Sequence, residues 1–186
     1  MLLQEKFNNK YRIKSARLQY YDYGQNGAYF VTICTKNRKM FYGKIINKQV
    51  KLSNLGKVAA KYWSEIPSHF PFVSLGEYVI MPNHIHGIIF INKSDDIVET
   101  QNLASLRKRQ NSENIFGPQS KNLASVIRGY KTAVTKYARK HTKITDVWQS
   151  RFYDHIIRNE KELLQISKYI KGNPINWGKD DYFVEN

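Results

Sequence analysis

His84 and His86 are the residues whose type and spacing best suit chemistry. They open the second half of the stretch from Glu77 to Ile91, which reads as two strands joined by a short turn at Pro82 and Asn83. Side chains two apart on a strand point to the same face, so the two imidazoles project together while Ile85 faces the other way. The run from Gly87 to Ile91 is apolar throughout, as in a strand covered on both faces. Paired imidazoles on a rigid strand can hold a divalent cation, although two ligands leave a site incomplete and such a pair often has only a structural role.

A second group lies some 80 residues later. Gln165, Tyr169 and Asn173 are spaced by four, so on a helix they form one stripe. At about 100° per residue, that stripe is rotated away from the apolar stripe of Leu163, Ile166 and Ile170. Tyr169 should therefore sit at the edge of the buried face, where a hydroxyl can reach a site across a sheet. Asn173 falls at the helix end before Pro174, and its amide oxygen is a hard donor. By residue type alone Tyr130, Tyr137 and Tyr153 compete with Tyr169. The first two lie on an apolar stripe, whereas Tyr153, at a strand start, stays a rival.

These groups need elements to position them. Residues 28–35 are β-branched and aromatic after an Asn26-Gly27 turn signal, and read as a central strand. Residues 43–52 look like a small hairpin turning at Asn47 and Lys48. Leu55, Val58, Ala59, Tyr62, Trp63 and Ile66 mark an amphipathic helix over 53–66, stopping before Pro67. Strands at 76–81 and 84–91 follow, then a long polar loop at 92–119 without periodicity. A helix over 120–140 carries Leu123, Val126, Ile127, Tyr130, Val134 and Tyr137 on one face. A strand at 153–157 leads to a helix over 159–172, with Asn159 and Glu162 in a capping-box pattern. His155 suits a structural or nucleic-acid contact. The order is βαββαβ with an extra C-terminal helix, an α+β, ferredoxin-like antiparallel sheet. The domain spans 28–177, between an arm at 1–27 and a short polar tail at 178–186.

The chain has 186 residues, with 30 Lys and Arg against 15 Asp and Glu, a formal charge of +15. Such an excess favours a polyanionic partner. No run is apolar and long enough to span a membrane, and no signal peptide is visible, so a cytoplasmic, nucleoid-associated protein is expected. The single cysteine, Cys34, excludes a cysteine-based zinc site and reads as a buried thiol. Three regions could contact DNA. The arm interleaves Lys10, Arg12, Lys14 and Arg17 with tyrosines, which suits single strands but equally describes a solvated segment packed on the domain. Arg107, Lys108 and Arg109 sit in the polar loop. Lys121, Arg128 and Arg139 share the outer face of the 120–140 helix with Thr132 and Thr135, a face that is solvated by default.

Three motifs together resemble a known family. The segment from Met81 to His86, the later Trp148, Gln149, Phe152, Tyr153, Asp154 and His155, and Tyr169 with Asn173 and Pro174 occur in the order found in single-tyrosine transposases of the HUH (His-hydrophobic-His) superfamily. The match is nearest to the branch associated with repetitive extragenic palindromes (REPs), and it covers about residues 20–177. The resemblance implies that His84 and His86 bind Mg²⁺ or Mn²⁺ and that Tyr169 is the nucleophile. It places Asn173 where related insertion-sequence enzymes carry a metal-binding glutamine, with the shorter side chain leaving direct ligation open. The implied activity is cutting and rejoining of single-stranded DNA beside a hairpin through a 5′-phosphotyrosine, by a monomer or homodimer. The alternative is an inactive hairpin-binding protein on the same fold.

Overall fold

The computed structural model describes residues 23–93 and 120–184. Strands β1 (Gly27–Cys34), β4 (Val73–Ile80), β5 (His84–Ile91) and β6 (Tyr153–Ile157) form one antiparallel sheet in the order β4-β5-β1-β6. This is the expected ferredoxin-like arrangement, with β1 central and β6 at an edge. A separate hairpin, β2 (Gly43–Ile46) and β3 (Gln49–Leu52), turns where expected, with Asn47 and Lys48 both at positive φ as a two-residue primed turn requires.

Helices cover both faces of the sheet. Helix α1 (Asn54–Ser64), the short α2 (Ile66–His69) and α3 (Leu123–His141) pack on one side, where Tyr29, Val31, Ile33, Ile85 and Ile89 meet Trp63, Val126, Tyr130 and Val134 in the main core. Helix α4 (Glu160–Gly172) lies on the other, where Ile170 packs with Ile88 and Ile157, flanked by Phe30, Leu163 and Ile166. The alternation along β1 and β5 divides these cores: each odd step feeds one layer and each even step the other.

Several details differ from the sequence expectation, among them the start of α3, which is at Leu123 rather than residue 120. Helix α1 ends at Ser64, and Pro67 falls in the first turn of α2 rather than after a single longer helix. Proline is tolerated there because the first-turn N–H groups have no intrahelical partner. Strand β4 begins at Val73, its register with β5 shifting between Leu75 and Tyr78. That irregularity hides the start of the strand from a period-two reading. The capping box of α4 is also displaced by one residue: Glu162 N–H donates to Asn159 Oδ1, but the Glu162 carboxylate accepts from the N–H of Arg158 at 2.8 Å. Its other oxygen lies 2.7 Å from His155 Nε2, so one glutamate fastens the start of α4 to β6.

Gly87, between the histidine pair and the apolar run, has a steric role. A Cβ there would lie 2.3 Å from Cζ2 of the fully buried Trp63. The indole of α1 occupies the space that a side chain on this face of β5 would fill. Gly87→Ala is therefore expected to destabilise the fold by about 1–3 kcal/mol through overpacking, read as a lower denaturant midpoint at unchanged m-value.

Candidate active site

Cα partners across the sheet align Cys34 with His84, Thr32 with His86 and, on the other side of β1, Thr32 with Tyr153. These side chains share the α4 face. Both histidines are buried, with ring centroids 4.4 Å apart, as the spacing of two predicted. Burial holds His86 down at about 3 and His84 well below the usual imidazole value, the latter helped by its neighbour His86 and by Arg38. Both rings are thus neutral near pH 7 and keep a nitrogen lone pair.

Hydrogen bonds fix which lone pair of His84 is free. The Asn83 amide nitrogen donates to the Tyr182 carbonyl at 2.8 Å, which leaves Asn83 Oδ1, an acceptor, 2.8 Å from His84 Nδ1. Nδ1 therefore carries the proton, and Nε2 is bare. That nitrogen is buried without a hydrogen-bond partner and faces Oδ2 of Asp180 at 3.8 Å. Asp180 Oδ2 is itself buried and unpartnered, on a side chain only 2% exposed. Two buried acceptors facing each other are satisfied either by a proton on the carboxyl group or by a cation between them. Ligand atoms of His84, His86 and Asp180 all lie within 4.8 Å of one another, so the donor set of two imidazoles and a carboxylate fits a divalent cation with open positions. Burial raises the Asp180 carboxyl above its ordinary value, outweighing the hydrogen bonds from the Tyr182 N–H and the Asn173 side chain and the charge of Arg38.

Asp180 was missed by sequence reasoning, which treated residues 178–186 as a polar tail. The chain instead turns back after a 3₁₀ turn at Trp177–Lys179. Tyr182 N–H donates to Asp180 Oδ1 at 2.7 Å, and the Tyr182 ring lies 4.7 Å from that of His84. The Arg38 guanidinium donates to the Asp181 carbonyl at 2.9 Å and sits over the Tyr182 ring. The one available signal was Trp177, Tyr182 and Phe183, aromatic residues in a stretch otherwise too polar to need them.

Tyr169 lies where its stripe predicted. It is 48% exposed, and its hydroxyl is 3.2 Å from His86 Nε2. His86 Nδ1 is occupied by Thr32 Oγ1 at 2.8 Å. Burial raises the phenol above its ordinary value, the charge of Asp180 adds to this, and the Asn173 amide opposes it. Asn173 is buried at the end of α4, and its Oδ1 has no hydrogen-bond partner. The structure thus brings His84, His86, Tyr169 and Asn173 together and adds Asp180. An exposed ion pair between Lys171 and Glu77 at 2.8 Å joins the C-terminal turn of α4 to β4.

Of the expected DNA contacts, Lys10, Arg12, Lys14, Arg17, Arg107, Lys108 and Arg109 lie outside the described residues. Lys121, Arg128 and Arg139 are exposed. Arg128, Lys131, Lys136, Arg139 and Arg151 line a groove of about 450 Å³ along α3, with the hydroxyl-bearing Thr132 and Thr135. The Lys131 amine donates to the carbonyls of Gln149 and Arg151 at 2.9 and 2.6 Å, which pins the segment before β6 to this helix. Tyr130 is core, as its stripe implied, with its hydroxyl donating to the Ala59 carbonyl at 3.0 Å. Cys34 is only half-buried, contrary to expectation, because its strand end opens towards the site rather than into the main core.

The described residues thus set a paired His-x-His strand under a tyrosine-bearing helix on a ferredoxin-like sheet. Known proteins narrow this further. No protein-family model matches the chain. An uncharacterized protein of Haemophilus influenzae is 43% identical over 175 residues, covering 92% of this chain and 93% of its own length. A putative REP-associated tyrosine transposase from the same organism is 25% identical over 157 residues, covering 84% of this chain and 75% of its own. The solved structure of a REP-associated tyrosine transposase bound to a REP hairpin superposes with a TM-score of 0.58 at 20% identity, covering 89% of this chain and 75% of that one. The chain belongs to the family of the first, uncharacterized Haemophilus protein, and it is similar in sequence and fold to REP-associated tyrosine transposases.

Proposed function

We propose that this protein cuts and rejoins single-stranded DNA beside a hairpin, with Tyr169 as nucleophile. The observation that carries the reading is the Tyr169 hydroxyl, 3.2 Å from Nε2 of His86, one of the three clustered residues His84, His86 and Asp180. A tyrosine nucleophile conserves the bond energy of the backbone. Its oxygen attacks phosphorus, the bond to the 3′ oxygen breaks, that oxygen takes up a proton as a 3′-OH, and the 5′ phosphate stays on the enzyme. A second 3′-OH can then reverse the step and join a different end, which hydrolysis would preclude.

His84, His86 and Asp180 would hold Mn²⁺ or Mg²⁺, with Asn173 beside them, and a cation there would supply charge stabilisation at the scissile phosphate. Asn83 and Thr32 orient the two imidazoles from behind, as outer partners do at metal sites. The bond from Tyr169 to His86 and cation ligation use the same nitrogen lone pair, so loading the site would release the phenol for attack. With its charge matched by a cation, Asp180 would also cease to oppose ionisation of Tyr169.

The DNA partner is supported by the +15 charge and the α3 groove, and the hairpin by the relative solved with one. No helix among the described residues is long and apolar enough to cross a membrane. If about five phosphates of a single strand are neutralised, log K should fall against log salt with a slope of about −3 to −4. Fluorescence anisotropy of a labelled hairpin with a single-stranded flank, from 50 to 300 mM salt (roughly the range over which such slopes are read), measures it, and a flat profile would reject the assignment. The catalytic test is formation of a denaturation-resistant covalent protein–DNA adduct that depends on Tyr169. An intact hairpin bound tightly, with no adduct at any metal concentration, would favour a binding protein instead.

A further inference from the structure

Tyr153 has no part in the mechanism above, yet it lies on the same face of the sheet. Thr32 is paired with His86 on one side and with Tyr153 on the other. The three residues thus form a row across the strands, and Tyr153 lies about 10 Å from His86 at ordinary strand spacing. Because β6 is an edge strand, Tyr153 ends the row at the rim of the sheet. Its ring is 46% exposed. Phe30 packs beside it on the same face, meeting Tyr153 edge-on at 6.4 Å, Tyr169 edge-on at 6.2 Å and His86 in a stack at 5.3 Å. One phenylalanine thus holds the nucleophile, a histidine of the pair and the exposed ring in a fixed relation. Immediately before Tyr153, Arg151 and Phe152 line the basic groove on α3.

An exposed aromatic ring held rigidly beside a nucleophile and next to a line of cations has the chemistry of a single-stranded nucleic-acid platform. Bases stack on such rings whatever their identity, while nearby Arg and Lys take the phosphates. We propose that Tyr153 stacks under the base of an unpaired nucleotide flanking the scissile phosphate, and that the strand leaves the site over the β6 edge towards the α3 groove. This assignment rests on the reading that the protein acts on single-stranded DNA. It gives Tyr153 a positioning role through its ring face, distinct from the hydroxyl chemistry for which residue type alone made it a candidate.

The test uses the full chain in EDTA with a hairpin whose unpaired flank carries 2-aminopurine at each position in turn. Wild type and Tyr153→Phe should quench the same one or two adjacent positions. Tyr153→Leu, which keeps apolar bulk and loses the ring, should lose that quench and bind about tenfold more weakly. Tyr153→Trp should quench at the same position and bind at least as tightly, which keeps the test informative should the leucine variant fold poorly. Affinity and quench unchanged in Tyr153→Leu would overturn the proposal, as would Tyr153→Phe losing as much as leucine, since the hydroxyl would then be the active feature. Failure of the wild type to bind any single-stranded flank would instead remove the functional reading on which it rests.

Discussion

Tyr169→Phe is expected to abolish the denaturation-resistant protein–DNA adduct that wild type forms on hairpin-bearing single-stranded DNA in Mn²⁺, a loss of roughly 10³-fold or more, as removal of a nucleophile costs. The change deletes one oxygen. That oxygen sits on a half-exposed ring and makes a 3.2 Å contact with His86, so folding should lose no more than about 0.5–1.5 kcal/mol and DNA affinity should be unchanged. Activity and stability therefore separate cleanly in this variant. The pH dependence follows from the same surroundings. Burial, the largest cause, holds the phenol above its ordinary value, so even with the Asp180 charge matched by a cation the phenolate is scarce at neutral pH and grows as pH rises. Adduct formation by wild type should accordingly climb from neutral into alkaline pH, and Asp180→Asn should move the phenol back down. An adduct that survives in Tyr169→Phe and disappears in Tyr153→Phe would transfer the nucleophile to β6.

The fold was readable because its elements are periodic and its turns are marked. The hairpin at Asn47 and Lys48, the histidine strand and the Asn159 cap all follow from local rules, and the structure places them within a few residues of expectation. The half of the site that local rules describe was readable too: a spacing of two on β5 and a spacing of four on α4. What was hidden depends on long-range packing. Asp180 joins the site because Asn83 and Arg38 hold the backbone of residues 181 and 182 against the end of β5, contacts about 100 and 143 residues apart in sequence. No periodicity encodes such a fold-back. Its only sequence trace is a cluster of aromatic residues at the end of the chain, and an isolated aspartate among polar neighbours looks the same whether it faces solvent or a histidine.

That hidden residue bears the second large prediction, because the sequence points to Asn173 as third ligand and the geometry points to Asp180. A carboxylate brings charge and a strong oxygen donor, while an amide brings only a dipole. Asp180→Asn is therefore expected to weaken Mn²⁺ binding by about 100-fold or more, beyond what loss of an outer partner costs, and Asn173→Ala by about tenfold or less. Calorimetric titration of the full chain measures both. Metal-free stability should move in the opposite direction. His84 Nε2 and Asp180 Oδ2 are buried acceptors 3.8 Å apart, and an asparagine amide can donate where the carboxylate cannot. Without metal, Asp180→Asn should thus melt no lower than wild type and gain about 2–4 °C for each kcal/mol of relieved repulsion. Mn²⁺ at 100 times its dissociation constant should stabilise wild type by about 2.7 kcal/mol, or roughly 5–10 °C, and should barely move the variant. Loss of the Mn²⁺ shift in Asn173→Ala with its retention in Asp180→Asn would return the third ligand to the end of α4. The carboxylate would then owe its burial to the fold-back of the chain around Tyr182 rather than to the cation.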